Sequence, residues 1–418
     1  MPTHPERADA VGASHAQQRY ADSVMNTFGT PQMVLTKGNG AIVTDEAGKD
    51  YLDLLGGIAV NVLGHCHPAV TQAIADQAAM LGHVSNFFAT EPQIALAEKI
   101  LDILGFSGGA TGAKVFLANS GTEANECALK IVKAYAGVTG RTRILALEHS
   151  FHGRSLGALS LTWKERYRSP FAPLIPGIEF IPANDPQSLR NAMGPDVAGL
   201  FVEPIQGEAG VQVLSDDYLR FARTCTSVHG VLLVVDEVQT GIARTGNWMG
   251  FQSSGITPDV VTLAKGLGGG MPIGACIGAS QTANLLGPGM HGTTFGGNPI
   301  CARAALSVLE TIEKDNLLAH THQVGQWWRD ELRAAAPHIV DVRGRGLLIG
   351  IDFDADIATS VVDKGREAGF ILNATGPATL RLAPPLVVSE KQARSFTEAL
   401  PTLIEQSLTE INTRGHRD

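Results

Sequence analysis

Five short, almost wholly apolar runs, separated by stretches that mostly carry helical spacing, constrain this chain more than any other feature. They are KVFLAN (114–119), TRILALE (142–148), GLFVEP (199–204), VLLVVDEV (231–238) and VVTLAK (260–265). A strand that is apolar on both faces must be covered on both faces, and intervening helices supply that cover. The pattern therefore predicts an α/β fold around a parallel sheet. Between the first two runs, Ala124, Cys127, Ala128, Ile131 and Tyr135 share one helical face. In such sheets ligands sit at the carboxyl ends of the strands.

The flanks are built differently. A polar start carries one short helical stretch around 15–27, and residues 41–43 and 51–54 bracket DEAGKD (45–50) as a hairpin around a glycine turn. Beyond residue 300 a helical stretch (301–336) breaks near Asp315. Strands at 347–353 and 378–383 and a helix at 390–412 follow, which predicts a smaller α+β domain. With 418 residues, two or three domains are expected. We divide the chain into an N-terminal segment (1–64) packing with the small domain, a large domain (65–300) and a small C-terminal domain (301–418).

Composition excludes several classes. With 44% hydrophobic and 17% charged residues the chain is too apolar to be disordered. A net charge of −9 with no Lys/Arg-rich run argues against a nucleic-acid partner. No apolar run approaches the ~18–20 residues that span a bilayer, and MPTHPERADAVGASHAQQRYAD contains no leader-like apolar core. The five cysteines, at 66, 127, 225, 276 and 301, form no CxxC pair, as expected of reduced thiols in the cytoplasm.

Several residues could carry chemistry. Lys265 closes an apolar strand before GLGGG, where desolvation would lower its pKa and make it a nucleophile; taken alone it reads more readily as a surface lysine. Asp236 and Glu237 end another apolar strand, and a carboxylate there needs a cationic partner. Ser120-Gly121-Thr122 sits between a strand and a helix, a phosphate cradle or an ordinary cap with Thr122 in a capping box. Neither it nor GLGGG is a Walker or dinucleotide loop. His65-Cys66-His67 reads as a turn, and Glu148, His149 and His152 read as loop residues, so no metal site is expected. Arg154 and Arg381 suit carboxylate recognition, with Glu208 a possible partner for either.

A phosphate cradle, a carboxylate and a lysine at successive strand ends are the parts that hold pyridoxal 5′-phosphate. Longer stretches carry the same message: GGIAVNVLGHCHP (56–68), NSGTEANECALK (119–130), FHGRSLGALS (151–160) and EPIQGEAGV (203–211). DEVQTGIARTG (236–246), LAKGLGGGMPIGA (263–275), HGTTFGGNP (291–299) and RLAPPLVV (381–388) continue it. From about residue 25 onward the chain resembles the class III, or ω-aminotransferase, group of fold-type I pyridoxal-phosphate enzymes.

That resemblance implies a fold-type I transferase with a large mixed, mainly parallel sheet and a smaller α+β domain. It implies Lys265 as the Schiff-base lysine and proton carrier, and Asp236 as partner of the pyridinium nitrogen. Gln239 would bond the ring's 3-oxygen, Phe151 would stack on the ring, and Ser120, Gly121 and Thr122 would hold the phosphate. Thr294 would reach the neighbouring subunit's cofactor, which implies a homodimer with shared sites. Arg154 would take the donor's α-carboxylate and Arg381 that of glutamate or 2-oxoglutarate, with Glu208 the switch that neutralises Arg381. Relatives acting on free ornithine carry a tyrosine where this chain has Ile58, which points to an N-acylated donor. The implied substrates are N2-acetyl-L-ornithine and 2-oxoglutarate, in arginine biosynthesis. Succinyl-diaminopimelate, ornithine or 4-aminobutyrate as donor, or a same-fold aminomutase, are the alternatives.

Overall fold

In the computed structural model, which describes residues 14–109 and 112–414, all five apolar runs enter one seven-stranded sheet. Its strand order is Lys114–Ala118, Gly274–Gly278, Val260–Leu263, Leu232–Asp236, Val197–Val202, Arg143–Leu147, Ile178–Ile181. Val197–Val202 and Leu232–Asp236 are buried at every residue, as double coverage requires. Gly274–Gly278 runs antiparallel to both neighbours, so the sheet is mixed and mainly parallel. This strand (GACIG) is too small-sided to announce itself by hydrophobicity. A Cβ at Gly274 would overlap the Ser120 carbonyl, so glycine lets the strand pass against the turn that begins the next helix.

That helix, Gly121–Thr139, buries four of the five predicted face residues, with Tyr135 half-buried and its Oη donating to the Gly230 carbonyl, and ends at Gly140 with φ 72°, a left-handed cap. The predicted break near Asp315 is real. Asn316 adopts φ 51° and separates helices Pro299–Lys314 and Leu317–Arg333. The first packs on Pro68–Met80 and Glu91–Leu104, beside the large sheet; the second joins a smaller one. The smaller sheet has the order Ile339–Arg345, Leu348–Phe353, Thr379–Leu382, Asn373–Ala374, with Glu390–Arg414 packed on Leu317–Arg333.

The predicted hairpin forms from Ile42–Asp45 and Asp50–Asp53. Asp50–Asp53 takes Phe370–Ile371 as a parallel neighbour, which ties the N-terminal segment to the C-terminal region. Among the described residues no helix is long and apolar enough to cross a membrane.

Candidate active site

A cavity of about 460 Å³ opens at the carboxyl ends of the central strands, where the topology places ligands. Lys265, Asp236, Gln239, Phe151 and Glu208 line it, together with the turn Ser120–Thr122. Asp236 lies beside Thr262 in the register of two adjacent parallel strands, so Lys265, three residues further on, emerges next to it. Lys265 itself has φ 44°, a left-handed conformation that a side-chain-bearing residue adopts only at a cost. Its amine makes no hydrogen bond among the described residues. Burial pulls it down to about 8, the charge of Glu208 opposing and that of Arg381 reinforcing the shift.

The Asp236 carboxylate is buried and fully partnered. Its Oδ2 accepts from Asn125 Nδ2 at 2.7 Å and lies 2.8 Å from His152 Nδ1, while Oδ1 accepts from the Val238 N–H at 2.9 Å. Asn125 is fixed in turn, since its Oδ1 accepts from Thr262 Oγ1 at 2.9 Å. Burial disfavours a charged His152, but the hydrogen bond and charge of Asp236 outweigh it and raise the imidazole above its ordinary value. The ring's Nε2 has no partner, and the ring packs edge-on to Phe201. His152 lies in a loop, as expected, but it does more than connect. It holds the acid.

Glu203, at the end of Val197–Val202, is buried and accepts the Phe151 N–H at 2.9 Å. Burial pushes its carboxyl up to about 8, with His152 opposing. Phe151 and His152 are thus consecutive residues that anchor to two different acids.

Arg381 comes from Thr379–Leu382, one strand in from the smaller sheet's edge. It is 2% exposed and donates to Glu208 Oε1 at 2.5 Å, to Gln239 Oε1 at 3.2 Å and to Asn373 Oδ1 at 2.8 Å. The open choice of partner for Glu208 is settled in favour of Arg381. Burial raises the Glu208 carboxyl, but the Arg381 charge and hydrogen bond more than compensate and leave it below the usual range. A Cβ at Gly207 would overlap the Gln239 amide, so this turn can lie against Gln239 only as glycine.

Arg154 is exposed at the cavity wall and lies over two aromatic rings, Tyr167 at 3.7 Å and Phe151 at 5.6 Å. The helix cap is Ser120, whose Oγ accepts the Glu123 N–H at 3.2 Å; Thr122 is not the cap. Its hydroxyl instead meets Ser155 Oγ at 2.6 Å and accepts the Arg154 and Ser155 N–H groups at 3.2 Å, which fixes the loop that carries Arg154. Thr294 is exposed and outside this cavity. Ile58 is 43% exposed, within a turn Gly56–Ala59 in which all four residues have positive φ.

These residues fit pyridoxal 5′-phosphate. An amine without a hydrogen-bond partner, a buried carboxylate oriented by three partners, and a helix N-terminus capped by a serine all face one cavity, whose volume is in the range of small-ligand sites. Asn125, His152, Glu203 and Asn373 escaped the sequence reading. Asn125 and His152 do lie inside recognisable motifs, but no spacing reveals that both point at Asp236.

The family described as Aminotransferase class-III matches residues 24–404. The chain is 48% identical over 400 residues to an acetylornithine aminotransferase from Mycobacterium leprae, covering 96% of this chain and 97% of that one. Among solved structures it resembles an ornithine aminotransferase from Toxoplasma gondii, with TM-score 0.87, 33% identity and 95% of each chain covered. It also resembles an N-acetylornithine aminotransferase from Stenotrophomonas maltophilia, with TM-score 0.79, 33% identity and coverage of 91% and 97%.

Proposed function

This chain belongs to the aminotransferase class-III family, and on that premise we infer that it moves the ω-amino group of N2-acetyl-L-ornithine to 2-oxoglutarate, giving N-acetyl-L-glutamate 5-semialdehyde and L-glutamate. Its cofactor is pyridoxal 5′-phosphate, which when bound supplies the electron sink that lets the amino-bearing carbon lose a proton.

The observation that carries the donor reading is an asymmetry between two arginines. Arg381 is already neutralised by Glu208, whereas Arg154 has only aromatic rings beneath it. A donor with its carboxylate far from the reacting amine finds a free cation at Arg154 and places its neutral chain past a neutralised Arg381. An uncompensated buried guanidinium there would be unfavourable. When glutamate or 2-oxoglutarate arrives, Glu208 withdraws and Arg381 takes the α-carboxylate. One site thereby serves both half-reactions.

The other roles are those the family resemblance implies, and the placement of the residues supports them. Lys265 Nζ, with its pKa lowered by burial, accepts and returns the substrate proton near neutral pH. Asp236, held in line by His152 and Asn125, would keep a proton on the ring nitrogen of the bound cofactor. Gln239 would bond the ring's 3-oxygen, Phe151 would cover a ring face, and Ser120, Gly121 and Thr122 would hold the phosphate. Thr294, exposed and away from its own cavity, serves the cofactor of a second subunit. We further propose a cytoplasmic homodimer with shared sites, working in arginine biosynthesis and divided at residues 64 and 300.

The test is the donor half-reaction without keto acid, followed by the cofactor's absorbance. N-acetylornithine should convert the cofactor rapidly and ornithine slowly; Lys265→Ala should abolish the change. Faster conversion by ornithine or 4-aminobutyrate would overturn the donor assignment and leave the family membership standing.

A further inference from the structure

The Arg154 guanidinium makes no hydrogen bond and no ion pair among the described residues. What holds it is aromatic: it sits 3.7 Å from the centroid of Tyr167. A second guanidinium shares that ring. Arg166 lies 4.9 Å from the same centroid and donates to Tyr167 Oη at 3.1 Å, and it too pairs with no carboxylate among the described residues. Two cations on one phenol ring, neither neutralised, repel each other. An arriving anion relieves that repulsion.

The segment that carries the ring is itself fixed. Tyr167 lies on the short helix Glu165–Arg168 and its N–H donates to the Lys164 carbonyl at 3.0 Å. Lys164 Nζ donates to the Glu208 carbonyl at 3.5 Å, and the Trp163 N–H donates to the Ser150 carbonyl at 2.9 Å. The segment is thus tied both to the Glu208 turn and to the strand end that leads into Phe151. A guanidinium stacked by its face keeps its in-plane N–H groups free, the geometry that a carboxylate takes two at a time.

We propose that Tyr167 is a positioning residue for the donor-carboxylate subsite: its ring seats Arg154 with the fork free, and Arg166 on the same ring adds the second positive charge. The inference rests on the assignment of Arg154 to the donor's carboxylate. It adds two residues, one of them uncharged, to what sets donor affinity. Without the Tyr167 ring, only the more distant Phe151 ring, at 5.6 Å, remains beneath Arg154, and this long side chain at an exposed position samples more rotamers before it can bind.

The experiment compares holoenzyme half-reactions with N-acetylornithine and with its carboxamide, two donors that differ only in the carboxylate. Tyr167→Leu should raise the half-saturating concentration of the acid about tenfold, leave its saturating rate within about twofold, and leave the carboxamide's half-saturation unchanged. Tyr167→Phe, which keeps the ring, should recover most of the loss. An equal penalty on acid and carboxamide, or no penalty on the acid, would overturn the proposal. Should Tyr167→Leu yield no folded holoenzyme, Arg166→Gln at its exposed position decides. A loss of about threefold for the acid alone supports the seat; no change, or an equal change for both donors, overturns it. If the wild-type enzyme rejects N-acetylornithine, the donor reading falls, and the same comparison with ornithine and ornithinamide still tests the seat.

Discussion

Arg381 and Glu208 lie 2.5 Å apart, the guanidinium 2% exposed and the carboxylate 33% exposed. The arginine is fixed in a strand between two others, whereas the glutamate sits on a three-residue turn. The mobile half of this ion pair is therefore Glu208. When it leaves, Arg381 keeps Gln239 and Asn373 as acceptors.

Glu208→Gln should slow the N-acetylornithine half-reaction by on the order of tenfold or more, because the donor chain then passes an unneutralised buried arginine. The glutamate half-reaction should be retained or improved, since Arg381 no longer needs releasing. Single-turnover rates for the two halves check this. A parallel loss in both would refute the switch.

Covalent capture of the cofactor by the apoenzyme needs a neutral Lys265 amine. Since burial holds that amine at about 8, the capture rate should rise roughly tenfold per pH unit up to pH 8 and then level off. An ordinary lysine would keep accelerating to about pH 10.4. The stopped-flow profile of reconstitution between pH 6 and 10 separates the two.

Asp236→Asn replaces an acceptor that serves three donors with an amide that cannot serve all of them. Loss of the negative charge that supports the ring nitrogen should lower kcat by on the order of 10²–10³ while the cofactor still binds. Steady-state rates on spectroscopically loaded enzyme measure it, and a loss below about fivefold would contradict the role.

Ile58 has φ 66° within a left-handed turn, and its side chain is 43% exposed. A β-branched residue there costs roughly 1–2 kcal/mol, partly offset by the ~0.5–1 kcal/mol of extra chain entropy that glycine would lose. Ile58→Gly should thus stabilise the fold by about 0.5 kcal/mol and weaken discrimination between N-acetylornithine and ornithine. Thermal melting and paired donor kinetics test both halves; a lower melting temperature would sink the strain argument.

Glu237 is buried and accepts the Gly250 and Phe251 N–H groups at 2.9 and 2.8 Å. Glu237→Gln cannot accept both on equal terms, and the stranded donor should cost about 1–3 kcal/mol near pH 5. Burial holds the Glu237 carboxyl up at about 7, above its unfolded value of 4.5, so its contribution is complete below pH 4.5 and lost as pH rises through 7. The gap between the two proteins should therefore narrow from pH 5 to pH 8 in urea titrations. A gap that widens would contradict the assignment.

Much of this was legible in the chain itself. The apolar runs located the strands, and the positions of Lys265 and Asp236 at two strand ends survived unchanged. What escaped was small or distant. GACIG forms a central strand although three of its five residues are Gly or Ala, because burial between two strands demands small size as much as apolarity. The cap fell to Ser120 instead of Thr122 because the residue before the first helical position, not the hydroxyl two later, faces the free N–H groups.

Binary patterning and residue chemistry determined the sheet, the ends of its strands and the set of groups that could do chemistry, since these follow from short-range periodicity along the backbone. Only the tertiary structure decided which of those groups meet. His152 and Asn125 reach Asp236 across 84 and 111 residues, and Glu208 reaches Arg381 across 173. Ion pairing and proton affinity depend on separation and burial in space, and neither distance is written in the order of the residues.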